Sequence, residues 1–199
     1  MCCRTFCHCA AYSVAGCICD CFAQDKLHHN IGRRRTLVSI GTHDLDTIQG
    51  PFIYDAKPPE DIKFVALNQE KEYTASQLMG LYSKDSHLKA FLPIIKDSPV
   101  YPIIYDQNNV VLSMPPIING DHSKIKLTTK NIFIEITATD LTKAKTTLDT
   151  IVTMFSCYCA KPFTVEPVDV EYYDGTKMVT PELQYRWKLT KSRCWDSLL

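Results

Sequence analysis

A strand that runs straight into a helix sets the strongest constraint on this chain. In "KNIFIEITAT" (130–139), Ile132, Ile134, Ile136 and Ala138 share one face, and Phe133, Glu135, Thr137 and Thr139 share the other. In "DLTKAKTTLDTIVTMFSCYC" (140–159), Leu141, Ala144, Leu148, Ile151, Val152, Phe155 and Tyr158 recur at helical spacing. Asp140 suits the N-cap, and Pro162 ends the run. Such a stripe must be buried against a sheet. With the elements described next, it gives an α+β fold, a mixed sheet packed against helices.

Upstream, "QDKLHHNIGRRR" (24–35) pairs Leu27 with Ile31 at i, i+4 and reads as a short helix with cations at its end. "TLVSIGTH" (36–43) reads as a strand, and "GPFIYDAKPPEDIKFVAL" (50–67) as two strand pieces parted by Pro58 and Pro59. "EYTASQLMGLYSKDSHLKAFLPII" (72–95) reads as two helices. Thr74 and Gln77 fit a capping box, Leu78, Leu81 and Tyr82 form a stripe, and Ser86 starts the second helix, with Leu88, Phe91 and Leu92 inward. "YPIIYDQNNVVLSM" (101–114) is a hairpin, and "FTVEPVDVEYYDGTKMVTPEL" (163–183) a second one around Asp174-Gly175.

The charge balance narrows the partners. Lys+Arg and Asp+Glu are both 22, so no net charge pulls the chain toward nucleic acid or membrane. No apolar run reaches the roughly 18 residues of a membrane span. Seven of the ten cysteines lie in the first 21 residues, and none falls between Cys21 and Cys157. That is not a disulfide framework, so the body reads as intracellular and reduced, in the cytoplasm. Residues 1–23 read as a Cys-rich tail outside the fold and poorly ordered. Zinc binding around His8 is the alternative there, but the C-x-C spacing is wrong for paired ligands. A metal is not expected in the body.

The chemistry-bearing candidates cluster. Glu135 is a carboxylate in the middle of a β-branched strand. Its face is either solvated, or buried with Thr137 and Thr139 bonding the carboxylate. "SMPPIINGDHSKI" (113–125) loses two backbone donors at Pro115 and Pro116 and reads as an extended wall delivering Asn119 to a fixed place. Asn119-Gly120-Asp121-His122 is a turn signal, with Gly120 free to take positive φ and His122 either a base or simply solvated. Ser113 lacks a nucleophile-elbow setting. No phosphate loop, dinucleotide fingerprint or metalloprotease motif occurs. Arg33-Arg34-Arg35 is either a phosphate contact or a charged helix end.

Three strings carry a resemblance: "GTHDLDTIQGPF", "YPIIYDQNNVVLSMPPIINGDHSKI" and "NIFIEITATDLTKAKTTLDTIVTMFS". They closely resemble the beta subunit of eukaryotic and archaeal cytosolic phenylalanyl-tRNA synthetase, from about residue 24 to about residue 186. Residues 1–23 and the divergent tail at 187–199 do not. The resemblance implies a fragment covering the editing (tRNA-binding) module at 24–186. The family enzyme is an alpha2-beta2 heterotetramer that ligates phenylalanine to tRNA(Phe) with ATP and magnesium at its alpha subunit. This module would need no cofactor and would hydrolyse mischarged tyrosyl-tRNA, because a phenylalanine pocket rejects an added hydroxyl only weakly. Glu135 and Thr137 match the family's editing-site positions. Asn119 and Gly120 would hold the terminal adenosine and the ester near a water. Ser113 and Ile104 match pocket positions, and Tyr101, Met114 and Pro115 would shape its walls. His122 receives no base role. The competing reading is an inert structural or interaction fragment.

Overall fold

The computed structural model describes residues 6–13, 21–156, 158–159 and 164–181, with side chains described from residue 24. Its elements are β1 (Phe6–Ser13), α1 (Cys21–His29), β2 (Val38–Asp44), β3 (Ile53–Lys57), β4 (Lys63–Val65), β5 (Glu72–Thr74), α2 (Ala75–Tyr82), β6 (Tyr101–Tyr105), β7 (Val111–Met114), β8 (Ile118–Asn119), β9 (Asn131–Ala138), α3 (Leu141–Ser156), β10 (Glu166–Glu171) and β11 (Lys177–Thr180). A five-stranded sheet runs β11-β10-β1-β9-β2, and a four-stranded sheet runs β3-β6-β7-β8. The α+β class holds. The described strand pairs are all antiparallel, where a mixed sheet was expected.

The strand-helix constraint is met. Ile132, Ile134, Ile136 and Ala138 pack with Ala144, Leu148, Ile151, Val152 and Phe155 of α3 in one core. The Asp140 carboxylate accepts from the Lys143 amide at 3.0 Å, as an N-cap should. Tyr158 departs from the expected stripe and is exposed. The other face of β9 is buried too. Phe133 packs with Ile48, Ile104 and Leu112, which joins the two sheets. A further core, holding Ile62, Phe64, Leu78, Tyr82, Tyr101, Ile103, Met114 and Ile117, seats α2 on the four-stranded sheet. Two apolar sheet faces against each other leave no wet side to β9, so the solvated reading of Glu135 fails.

Some local expectations are corrected. Phe6–Ser13 is a strand between β9 and β10, paired along the whole of β9 from Phe6↔Ala138 to Ser13↔Asn131, not a tail outside the fold. Extended backbone there satisfies a ladder that β9 would otherwise leave open on that side. The zinc reading falls on side chains outside the described residues. The Thr74–Gln77 capping box is present. However, Leu81 of that helix is exposed, and the expected second helix is two short 3-10 turns, Leu88–Ala90 and Leu92–Ile94, because Pro93 interrupts any longer ladder. The arginine run is not a helix end. Arg33, Arg34 and Arg35 have φ of 44°, 55° and 64°, a left-handed turn that folds Arg35 back into the protein.

Helix α1 is held by His28, whose Nε2 accepts from the Ile40 amide at 2.8 Å. Burial first, then the charges of Arg35 and His29, lower its pKa from 6.5 to about 3. The fold therefore opposes a protonation that the unfolded chain accepts. This contribution is complete above pH 6.5 and is lost as pH falls from there toward 3. Urea unfolding is expected to lose up to about 1.4 kcal/mol per pH unit in that window from this group. His28→Gln should remove that part of the slope. An unchanged slope in the variant would place the pH dependence elsewhere.

Candidate functional site

Glu135 sits at the centre of β9, 2% exposed. It is opposite Gly41 of β2 on one side and Cys9 of β1 on the other. Gly41 leaves the room its carboxylate fills: a methyl built there would lie 2.2 Å from Glu135 Oε1 and 2.8 Å from Cδ. In the facing sheet a second row crosses three strands, because Ser113 pairs with Ile104 on one side and with Asn119 on the other. Residues directly opposite in an antiparallel ladder share a face, so Ile104, Ser113 and Asn119 all look the same way. The rows meet where the Ser113 hydroxyl donates to Glu135 Oε1 at 2.9 Å. The expected threonine partners do not hold this carboxylate. Thr139 is exposed, and Thr137 is buried on Glu135's face opposite Ser39.

His43, two residues beyond Gly41 on β2, completes the cluster. It is fully buried, its Nδ1 is 2.8 Å from Ser123 Oγ, and its Nε2 is 3.9 Å from Glu135 Oε1. Glu135 Oε2 and His43 Nε2 are both buried with no hydrogen-bond partner. A carboxylate facing Nε2 favours the tautomer protonated there, so that Ser123 donates to Nδ1. The surroundings are apolar: Phe52 stacks on Phe133 at 4.3 Å between ring centroids, and Ile48, Ile104 and Leu112 fill the rest. A buried carboxyl group with one unpartnered oxygen, an unpartnered imidazole nitrogen and aromatic neighbours suits a hydroxyl carried on an aryl group.

The structure thus brings together Glu135, Ser113, Ile104 and Thr137, with Asn119 on the facing row. It separates others. Met114 and Tyr101 belong to the core under α2, not to the Glu135 cluster. Pro115 and Pro116 are not an extended wall. They are joined by a cis peptide bond and make a tight reversal between β7 and β8, closed by the Ile117 amide donating to the Met114 carbonyl at 2.9 Å. Two missing donors are tolerable in a reversal, where a ladder would need them. Arg35 fastens this turn. Its Nη1 donates to the carbonyls of Pro116 and Ile117 at 3.1 and 3.2 Å, and its guanidinium lies over Phe91 at 4.4 Å. His122 faces away, with Nε2 donating to the Thr47 carbonyl at 2.7 Å beside an open cleft of about 530 Å³.

Gly120 is a spacing residue. Its backbone is not left-handed; instead its amide donates to the Leu112 carbonyl at 2.7 Å, and a Cβ would lie 2.4 Å from the Val111 carbonyl oxygen. Gly120→Ala is expected to cost about 1–3 kcal/mol in urea unfolding, since backbone cannot give way as a flexible side chain can. A variant as stable as the unchanged chain would show that β8 is free to shift. Gly41, His43 and Ser123 were missed as site residues. Gly41 carried a signal, being a lone glycine inside a strand pattern, which marks a close approach. His43 and Ser123 carried none, because only the fold sets them side by side.

Comparison with known proteins gives the chain's family and fold. Residues 23–166 match the family model described as the B3/4 domain. The chain is 70% identical over 164 residues to the phenylalanine–tRNA ligase beta subunit of Caenorhabditis elegans, covering 82% of this chain and 28% of that protein. It is 61% identical over 176 residues to the cytoplasmic phenylalanine–tRNA ligase beta subunit of Arabidopsis thaliana, covering 88% of this chain and 29% of that protein. A crystal structure of an N-terminal fragment of the Pyrococcus horikoshii phenylalanyl-tRNA synthetase beta subunit superposes with a TM-score of 0.78 at 30% identity, covering 89% of this chain and 50% of that one. The chain therefore spans less than a third of the curated relatives' length. By fold, by sequence and by the residues matched, it belongs to the B3/4-domain family of the phenylalanine–tRNA ligase beta subunit.

Proposed function

We propose that this chain is the editing module of such a beta subunit and hydrolyses tyrosine mistakenly esterified to tRNA(Phe). The observation that carries the reading is the buried Glu135 carboxylate, held by Ser113 on one oxygen and unpartnered on the other. A tyrosyl hydroxyl donates to that free oxygen. A phenylalanyl ring leaves it unpaired in an apolar place, and the site rejects it for that reason. Ile104 and Phe133 flank the ring, and Asn119 positions the ester end. Both Glu135 and His43 are closed to solvent here, so the ring reaches them only when their apolar cover moves aside.

Hydrolysis of the ester requires little activation. Water attacks the activated carbonyl carbon, the bond to the ribose oxygen breaks, and that oxygen takes up the proton from water. The protein's contribution is to hold the ester and water in line. In the assembled enzyme the partners are the alpha subunit and tRNA(Phe), in an alpha2-beta2 arrangement in the cytoplasm, and ATP and magnesium serve ligation at the alpha subunit.

The test is deacylation of preformed Tyr-tRNA(Phe) by assembled synthetase with and without Glu135→Ala. The variant is expected to be about 10- to 100-fold slower, the range for a hydrogen bond to a charged group. An unchanged rate would remove Glu135 from the reaction.

A further inference from the structure

Two buried polar atoms in this cluster have no partner, Glu135 Oε2 and His43 Nε2, and they belong to side chains that face each other. Their separation is informative. Nε2 lies 3.9 Å from Glu135 Oε1, too far for a direct hydrogen bond. An oxygen about 2.8 Å from the nitrogen and from the carboxylate spans that gap. The ring is fixed for the purpose: Ser123, itself buried, holds Nδ1 at 2.8 Å, and the Ser123 carbonyl is anchored by the Asp44 amide at 2.8 Å. With Nδ1 accepting from Ser123, Nε2 carries the proton and can only donate.

We infer that His43 is the donor half of a two-sided hydroxyl reader. Nε2–H donates to the phenolic oxygen, and the phenolic O–H donates to the Glu135 carboxylate. The inference rests on the editing reading above and adds a specificity residue to it. Glu135 alone would accept any donor. The imidazole also demands an acceptor, and a hydroxyl is the small group that meets both demands on one atom. A phenylalanyl ring leaves two buried groups unpaired instead of one, which widens the discrimination. Ser123 is a positioning residue that acts through the His43 tautomer.

The test uses non-hydrolysable probes, 3′-tyrosylamino- and 3′-phenylalanylamino-adenosine, titrated calorimetrically into the 199-residue chain. The unchanged chain is expected to prefer the tyrosyl probe. His43→Ala should weaken tyrosyl binding about tenfold and leave phenylalanyl binding unchanged. His43→Gln, whose amide nitrogen can stand near Nε2, should restore part of the preference. If His43→Ala does not fold, Ser123→Ala replaces it and should lower the preference in the same direction. A tyrosyl preference that survives these changes but disappears in Glu135→Ala would overturn the role of His43 and leave the editing reading intact. Equal binding of both probes by the unchanged chain would overturn the editing reading, and this inference with it.

Discussion

Replacing Gly41 by alanine is expected to destabilise the chain by about 1–3 kcal/mol and, under the proposed function, to remove discrimination between tyrosyl and phenylalanyl esters. The added methyl would fall 2.2 Å from Glu135 Oε1, 2.8 Å from Cδ and 3.0 Å from Cγ. One of the two must move. Glu135 is 2% exposed and can yield only by giving up the Ser113 hydroxyl that holds one of its oxygens. Swinging the carboxylate away breaks the Ser113 bond and leaves a buried charge without any donor, which adds to the packing cost. The stability loss and the specificity loss thus share one cause. The check is urea unfolding together with the ratio of Tyr-tRNA to Phe-tRNA deacylation. A Gly41→Ala protein that keeps both would mean the carboxylate does not occupy this space.

Phe133→Ala is expected to have the larger effect on stability, about 3–5 kcal/mol. Phe133 is 1% exposed on β9, and its neighbours Ile104 and Leu112 come from the facing four-stranded sheet, so it is a joint between layers. Its ring also stacks on Phe52 with 35° between planes, a contact that an aliphatic replacement would lose. Relaxation into the hole is limited, because the residues around it are anchored in the ladders of β6, β7 and β9. The comparison is Leu127→Ala, at a side chain that is 89% exposed, which should stay within about 0.5 kcal/mol of the unchanged chain. Similar losses for the two variants would contradict a sandwich centred on Phe133.

The contrast between these sites shows what the chain's sequence could reveal. The periods of 131–138 and 141–156 were legible because each pattern is local, two residues or 3.6 to a repeat. The Thr74–Gln77 box was legible for the same reason. The second burial of β9 was not. Phe133, Glu135 and Thr137 look like a half-polar face until another sheet lies on them. The proline pair signalled that no central strand could run through it, but not whether the chain continues or reverses. The reversal is set by Ser113 pairing with Asn119 across it. Of the site, Glu135 and Thr137 stood out in the strand pattern, Ser113 and Ile104 entered as pocket positions through the family resemblance, and their convergence came from cross-strand register. His43 lies 92 positions before Glu135, and nothing short of the β2–β9 pairing could bring them together.

Under the proposed function, one buried carboxylate lets this chain by itself distinguish a tyrosyl from a phenylalanyl ester. The most direct test is the rate at which the isolated 199-residue chain deacylates Tyr-tRNA(Phe) and Phe-tRNA(Phe) prepared side by side. Hydrolysis of the tyrosyl ester is expected to be at least about tenfold faster than of the phenylalanyl ester, with the difference lost in Glu135→Ala. Equal rates for the two esters, or none above the spontaneous background, would contradict it.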